Sequence, residues 1–585
     1  MKLKEHYIAL SAMLAIWSAL LAVPGTIGSG YHFADDHEII CFSQQLSNKT
    51  DTFVSLVRTQ VGKDMAIRFR PFYYFHRIVI SSLLGPNFTL WHFYNLILAG
   101  MTSFLLYFCA KNLGFGYAEC GIIALLTFFG EQAEIWWRLG PNETIGMFML
   151  SLSLYYMSRS ASITSIKKSH TILFAIFTIL ATLCKESFIL CIPAIVFWYN
   201  SIKKIKSGKH WTETIVDNIP ISILLLTIMS IEIISIVFFV GTEDIGYAGV
   251  EKLSIGFFTD AAKDLFFRNG LGVAIIISLI ISIRLSGRKR SCFLKKIRMP
   301  IILLILWILP QIALYAKTGM SSRYLLPATL GLSIFCAYVV RGIRESGMYL
   351  ALSKRVFLLI SLVLGTAGLC FIGICLFLFF SRNPMPMEIR SHIMGGLLLG
   401  LTFIFVSYHC LKRYRETFGI HVSSIIIIII QVVIFYNLGI MHAEAREYAL
   451  EGRETTKFLD AVVKETNSPV SQILIAVDPA IHFEAANAVN VYLRMIGNRN
   501  NLYYQRILSK PSYSSFDQHL IDSFEGFAKQ EGLIIISDAS QAIQPRCICL
   551  LPGTEPAFLR LSKYAKLLDQ YIRKSYGPYT LYAMP

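Results

Sequence analysis

Two adjacent carboxylates, Asp35 and Asp36, are the first residues in the chain whose types and spacing could do chemistry. They lie in the stretch Tyr31–Glu38, shortly after an apolar run at 7–27. A carboxylate can accept a proton as a general base, and a carboxylate pair can bind a divalent cation such as Mg²⁺ or Mn²⁺. The spacing does not show which of the two residues would act, or whether it would act as a base or as a metal ligand. A solvated acidic loop is the alternative interpretation.

Cationic residues, several of them beside an acidic or aromatic residue, recur in later segments: Arg68 and Arg70, Glu134 with Arg138, Lys185 with Glu186, and Arg323 with Tyr324. Lys and Arg hold anionic groups such as phosphate, and Arg does so through parallel N–H groups. An ion pair of Lys185 with Glu186 in an apolar turn is costly unless it serves a site or a structural lock. For Arg68 and Arg70, anchoring on lipid headgroups is the alternative to binding a substrate phosphate.

The composition indicates that the elements positioning these residues lie in a membrane. The chain has 585 residues, a mean hydropathy of +0.56 and 16% charged residues, whereas a soluble domain has about 25%. The hydropathy and the low charge exclude a disordered chain and a simple soluble enzyme, and only 12 Cys in 585 residues exclude a disulfide scaffold. Apolar runs predict about thirteen transmembrane helices, at 7–27, 90–110, 117–130, 143–158, 171–184, 186–199, 219–240, 271–284, 300–316, 324–341, 356–380, 392–411 and 421–441.

The basic excess gives the orientation of these spans. The formal net charge is +17, and the excess falls in alternate short loops, which predicts that those loops and the N-terminus are cytoplasmic. Because no single basic patch exists, nucleic-acid binding is disfavoured. The segment 7–23 could instead be a signal peptide, but a retained helix is favoured. Every candidate group above then lies on the outer face of a multi-pass protein of the plasma or inner membrane.

Two parts of the chain are predicted. Residues 1–441 form a transmembrane domain whose first outside loop, 28–89, carries amphipathic helices, and residues 442–585 form a small extracytoplasmic α/β domain. In that domain, strands are predicted at 472–477 and 532–537, with a helix at 480–494. The cytoplasmic loops are short and contain no glycine-rich phosphate loop, so ATP-driven transport and direct use of a nucleotide-activated substrate are disfavoured.

With these residues in these places, the sequence resembles the GT-C superfamily of integral-membrane glycosyltransferases, which includes protein O-mannosyltransferases and the lipid A aminoarabinose transferase. The resemblance rests on Asp35-Asp36, Arg70-Pro71, Lys185-Glu186 and Arg323-Tyr324. It implies a polytopic α-helical GT-C-like fold and a polyprenyl-phosphate sugar as donor. It also implies an acceptor hydroxyl on a glycan, lipid or protein, and no certain cofactor, with a divalent metal as an option at Asp35 and Asp36.

The resemblance also implies roles. Asp36 is the first choice for the base and Asp35 the second, while Arg70, Lys185 and Arg323 hold the donor phosphate. Glu186 orients Lys185, and the supporting residues are Tyr324, Arg68, Glu134 and Arg138.

Two other classes of function remain open. A lipid or glycan transporter or flippase would have charged residues deep in several spans and an inverted repeat, and the sequence shows one deep acid, Glu232, and no repeat. A polysaccharide polymerase or ligase more often has its large loop between late spans than at the C-terminus.

Overall fold

The computed structural model describes most of the chain. The described residues are 2–48, 51–65, 68–161, 168–239, 255–268, 270–285, 290–315, 322–346, 349–351, seven positions between 362 and 373, 419–466, 471–497, 501–510, 512–513, 515–530, 532–536 and 543–585. The predicted spans 356–380 and 392–411 therefore lie almost wholly outside the described residues. All ten residues predicted for the site lie within them.

Helices make up most of this part of the chain. The α-helices of seven residues or more are Lys2–Ala22, Asp36–Ser47, Phe53–Met65, Pro71–Leu84, Phe88–Asn112, Glu143–Ser160, Lys168–Thr182, Ile192–Ser207, Trp211–Asp217, Ile219–Phe239, Ile255–Lys263, Leu271–Leu285, Arg290–Tyr315, Leu326–Glu345, Val422–Glu465, Pro479–Met495, Ser515–Gln530 and Glu555–Leu561. Shorter helices include Tyr117–Gly121, Glu134–Trp137 and Glu186–Ile189.

Six of the described helices are long and apolar enough to cross a membrane, and a seventh span results if the bent pair Phe258–Phe267 and Leu271–Arg284 counts as one. Together with the fold reported below, these helices make the chain an integral membrane protein. The predicted runs at 117–130 and 171–184 correspond to shorter apolar helices. The predicted total of about thirteen spans stays a prediction.

The chain divides into two compact units. The first comprises Met1–Pro24, Arg58–Phe75 and Tyr94–Ala445, and the second Gly25–Val57, His76–Phe93 and Arg446–Pro585. The first unit contains most of the apolar helices, together with a short antiparallel pair of strands, β1 (Tyr349–Ala351) and β2 (Gly419–His421). The predicted domain boundary at 441/442 stays a prediction.

The second unit is built on a six-stranded sheet of order β5-β4-β3-β6-β8-β7. Its strands are β3 (Gln472–Val477), β4 (Asn501–Arg506), β5 (Ile534–Ile536), β6 (Cys547–Leu550), β7 (Ile572–Tyr576) and β8 (Tyr579–Ala583). Strand β3 pairs in parallel with both β4 and β6, whereas β8 pairs antiparallel with β6 and β7. The central strands are almost wholly buried, as the continuous apolar run of β3 predicts.

The segment Gly25–Val57 belongs to the core of this second unit. Tyr31 is buried among Phe458, Tyr504 and other core residues, and its hydroxyl donates a hydrogen bond to the Ala488 carbonyl at 2.8 Å. The segment that carries Asp35 and Asp36 is therefore fixed by packing within this unit.

A glycine makes this packing possible. Gly30 has φ +90°, and a Cβ there would overlap Thr456 Oγ1 and lie 3.2 Å from the Gly452 carbonyl oxygen. We expect Gly30→Ala to destabilise this unit by about 2–4 kcal/mol, because the cost of a left-handed backbone at alanine adds to the cost of overpacking. Thermal unfolding in detergent measures the effect. Gly28→Ala is the matched control, because no described atom lies within 4 Å of a Cβ built there, and an equal loss in both variants would contradict the prediction.

The loop after β3 is held by a buried acid and a buried histidine. Asp478 accepts hydrogen bonds from Ala480 N, Ser509 N and the Tyr513 hydroxyl at 2.8–3.0 Å, and its own N–H donates to His482 Nδ1 at 3.2 Å. Burial lowers the pKa of His482 from 6.5 to about 4, against the opposing charge of Asp478.

This histidine predicts a pH dependence. A pKa that is lower in the folded than in the unfolded state gives stability that is present above pH 6.5 and is lost as the pH falls towards 4. The expected loss from His482 is about 3 kcal/mol. Melting temperatures from pH 7 to 4 should therefore fall less steeply in His482→Gln than in the parent. A curve of unchanged slope would contradict the assignment, and the exposed His210→Gln is the control.

Candidate active site

Lys185 is a buried cation of the first unit. It precedes the short helix Glu186–Ile189, and its backbone is extended, with φ −166° and ψ 146°. Its Nζ forms an ion pair with Glu143, the first residue of the helix Glu143–Ser160, and the two side chains are only 5% and 1% exposed. Because a buried charge needs a partner, Glu143 fixes the position of the Lys185 ammonium group.

Tyr324 contacts two cations at once. The Lys185 Nζ lies 3.8 Å from the centroid of its ring, and the Arg323 Cζ lies 5.3 Å from the same centroid. A ring face attracts cations, so Tyr324 offsets part of the repulsion between Lys185 and Arg323. Burial lowers the pKa of Lys185, with Glu143 opposing this effect.

Glu134 joins this group to a second arginine. Its Oε1 lies 3.8 Å from Arg323 Nε, and its Oε2 lies 3.0 Å from Arg138 Nε. Glu134 and Arg138 are four residues apart, so their pairing follows from helical spacing. Five of the predicted residues, Lys185, Arg323, Tyr324, Glu134 and Arg138, are thus brought together. The ion-pair partner of Lys185, Glu143, was missed.

The predicted pairing of Lys185 with Glu186 is wrong. Glu186 Oε1 accepts a hydrogen bond from the Phe69 backbone N–H at 3.5 Å, whereas Lys185 pairs with Glu143. The reason is the backbone: Lys185 is extended and Glu186 begins a helix, so the two adjacent side chains have different surroundings. Glu186 instead supports the segment that contains Arg68 and Arg70.

Arg70 is held by an acid that sequence reasoning missed. Asp64 accepts hydrogen bonds from Arg70 N and Arg70 Nε, both at 2.9 Å, and also pairs with Arg70 Nη2. The guanidinium lies over the rings of Tyr73 and Tyr74. Burial would lower the pKa of Arg70, but Tyr74 and Asp64 outweigh it and raise the pKa above its ordinary value. Arg68 lies near enough to lower the pKa of Lys185.

Asp35 and Asp36 lie in the second unit and differ sharply from each other. Asp36 is fully buried at the start of the helix Asp36–Ser47, and its Oδ2 accepts a hydrogen bond from His32 N at 2.9 Å. Asp35 has φ +66° and is the single non-glycine residue with positive φ in the described part of the chain. Its carbonyl oxygen accepts a bond from Arg77 Nη2 at 2.6 Å. Such strained backbone is concentrated at functional sites.

No metal-binding group of three or more His, Cys, Asp or Glu residues occurs among the described residues. Asp35 and Asp36 could offer a divalent ion their carboxylates, and Asp36 Oδ2 already accepts a backbone hydrogen bond. Metal binding by this pair stays a prediction.

Three buried polar atoms near Lys185 and Glu143 in sequence or space have no hydrogen-bond partner among the described residues: Asn142 Nδ2, Ser187 Oγ and Gln311 Oε1. Gln311 Nε2 donates to the Ser187 carbonyl at 2.6 Å, which links a distant helix to the residues around Lys185. Buried polar groups in proteins are nearly always satisfied.

Comparison with known proteins identifies the fold. No family model matches the sequence, and no curated protein matches it. Two crystal structures of ArnT from Cupriavidus metallidurans, one bound to undecaprenyl phosphate and one in the apo state, match with a TM-score of 0.52 and 11% identity. Each match covers 99% of this chain and 97% of ArnT. The chain therefore shares the overall fold of this ArnT, as the predicted resemblance implies for the fold.

Proposed function

We propose that this protein is a glycosyltransferase that transfers a sugar from a polyprenyl-phosphate donor to an acceptor hydroxyl at the outer face of the membrane. The observation that carries the proposal is the pair of cations around Tyr324, the buried Lys185 and the half-buried Arg323. The ArnT fold supports it, because one ArnT structure was solved with undecaprenyl phosphate bound. A site with fixed cations suits a reaction in which a phosphate leaves.

In the proposed reaction, the acceptor oxygen attacks the anomeric carbon of the donor. The bond between that carbon and the phosphate oxygen breaks, and polyprenyl phosphate leaves with the electron pair. Lys185 and Arg323, with Arg70 as a third cation, balance the negative charge that develops on the phosphate. Their positions are fixed in advance by Glu143, Glu134 and Asp64.

The acceptor proton passes to a carboxylate, and Asp36 is our choice for this base. It is buried, and one of its oxygens is oriented by the His32 N–H. Asp35 stays the second choice for the base, and its strained backbone supports a functional role. A single displacement of this kind inverts the anomeric configuration.

The outer face is proposed from the charge distribution, because the candidate residues lie in loops without the basic excess. The same rule gives a cytoplasmic N-terminus and an inner or plasma membrane location. A lipid carrier can present the sugar there without a nucleotide. The acceptor is a glycan, a lipid or a protein.

The experiment uses the full-length protein in detergent with synthetic polyprenyl-phosphate hexoses and pentoses. A membrane lipid and glycan extract serves as acceptor. Mass spectrometry should detect release of polyprenyl phosphate that depends on the acceptor, and NMR of the product should show the inverted anomer. In vesicles, a donor that crosses the bilayer chemically intact, with no polyprenyl phosphate released, would contradict transfer and favour a transporter.

A further inference from the structure

A cleft of about 410 Å³ lies in the first unit, away from the residues of the candidate active site. It is bounded by the C-terminal part of the helix Ile192–Ser207, the N-terminal part of Arg290–Tyr315 and the C-terminal part of Leu326–Glu345. Its apolar lining includes Trp198, Ile202, Met299 and Leu303. Its volume lies in the range of small-molecule sites, about 300–1,000 Å³.

The rim of this cleft carries four cations and one acid. Glu345 pairs with Arg341 at 2.7 Å and with Lys296 at 3.3 Å. The other two cations, Lys206 and Lys295, have no ion-pair partner among the residues that the structure describes. An apolar cleft with two uncompensated lysines at its edge is complementary to an amphiphilic anion.

The side of the membrane on which the cleft lies narrows the class of amphiphilic anion that it could bind. Every charged residue of the rim belongs to a loop or helix end that the positive-inside rule assigns to the cytoplasm. The cytoplasmic leaflet carries anionic phospholipids, and basic pockets between transmembrane helices on that side bind their headgroups. The donor phosphate of the proposed reaction belongs to the opposite face.

We propose that this cleft is a binding site for an anionic glycerophospholipid of the cytoplasmic leaflet. The headgroup phosphate lies between Lys206 and Lys295, and an acyl chain lies along Trp198, Ile202 and Leu303. Glu345 pairs with Arg341 and Lys296, so Lys206 and Lys295 carry the selectivity for the phosphate. The site does not depend on the proposed transfer reaction.

The test is lipid binding to the full-length protein by native mass spectrometry, with palmitoyl-oleoyl phosphatidylglycerol and its phosphatidylcholine counterpart as probes. We expect Lys206→Gln/Lys295→Gln to lower affinity for phosphatidylglycerol about 30-fold, since each lysine contributes about 1 kcal/mol, which is about five- to sixfold. The control is Lys204→Gln/Arg298→Gln, which removes the same charge from the same two helices outside the cleft. This control should change the affinity for phosphatidylglycerol by less than about threefold, because cations outside the cleft are mostly screened by salt.

Three results would overturn the proposal. The first is an equal loss in the two double variants, which would indicate a general charge effect. The second is equal binding of phosphatidylglycerol and phosphatidylcholine by the parent. The third is displacement of the lipid by inorganic phosphate or by polyprenyl phosphate at lower concentration than by phosphatidylglycerol, which would assign the site to another phosphate.

Discussion

Lys185→Met is expected to slow sugar transfer by about 10²- to 10³-fold, because it removes a fixed cation from the leaving phosphate. It is also expected to lower the free energy of unfolding by about 3–5 kcal/mol, because Glu143 stays behind as a buried, unpaired carboxylate. Transfer is measured as release of polyprenyl phosphate, and stability as unfolding in detergent.

A double variant separates these two effects. Replacing both members of a buried ion pair by apolar residues of similar volume is often neutral for stability. We therefore expect Lys185→Met/Glu143→Leu to regain most of the stability lost in the single variant while transfer stays low. If the double variant regained transfer along with stability, Lys185 would be a structural lock and not a phosphate ligand.

The exposed pair of Lys209 with Asp217 provides the matched control. It is also a lysine–carboxylate pair in the first unit, but its two side chains are 49% and 51% exposed. Lys209→Met should leave both transfer and unfolding unchanged, because solvent replaces the lost partner.

Sequence patterns predicted the local elements well. The run Gln472–Val477 is a strand with the predicted bounds, and the predicted helix at 480–494 is Pro479–Met495. The predicted span 421–441 and the charged residues that follow it form one helix, Val422–Glu465. No proline or glycine-rich turn separates them, so helical hydrogen bonding continues from the apolar into the charged part.

The partners of the predicted cations could not be obtained in the same way. Lys185 and Glu143 are 42 positions apart, and Glu143 has no local pattern beyond being the first residue of a predicted span. Sequence adjacency favoured Glu186 instead, which is wrong because the chain changes from extended to helical between the two residues. A pair that is brought together by helix packing can be predicted only when the packing is known. The i, i+4 pair of Glu134 and Arg138, by contrast, could be predicted from spacing.

Asp36→Asn and Asp35→Asn are expected to differ strongly, although the residues are neighbours. Asp36→Asn keeps an oxygen that accepts the His32 N–H bond, so folding should be retained. It removes the only property that the proposed base requires, and kcat should fall by about 10²- to 10⁴-fold. The KM for the donor should change little, because the phosphate is held by the cations.

Asp35→Asn is the control, because it removes the neighbouring carboxylate and leaves the proposed base Asp36 in place. Asn adopts the left-handed backbone conformation as readily as Asp, and the Asp35 carbonyl that accepts from Arg77 belongs to the backbone. Activity should therefore fall less than about tenfold, below the range expected for loss of a base. The reverse pattern would assign the base to Asp35, and full activity in both variants would remove both carboxylates from the mechanism. Because both substitutions preserve the backbone, a change in rate without a change in melting temperature reports on proton transfer and not on the loop.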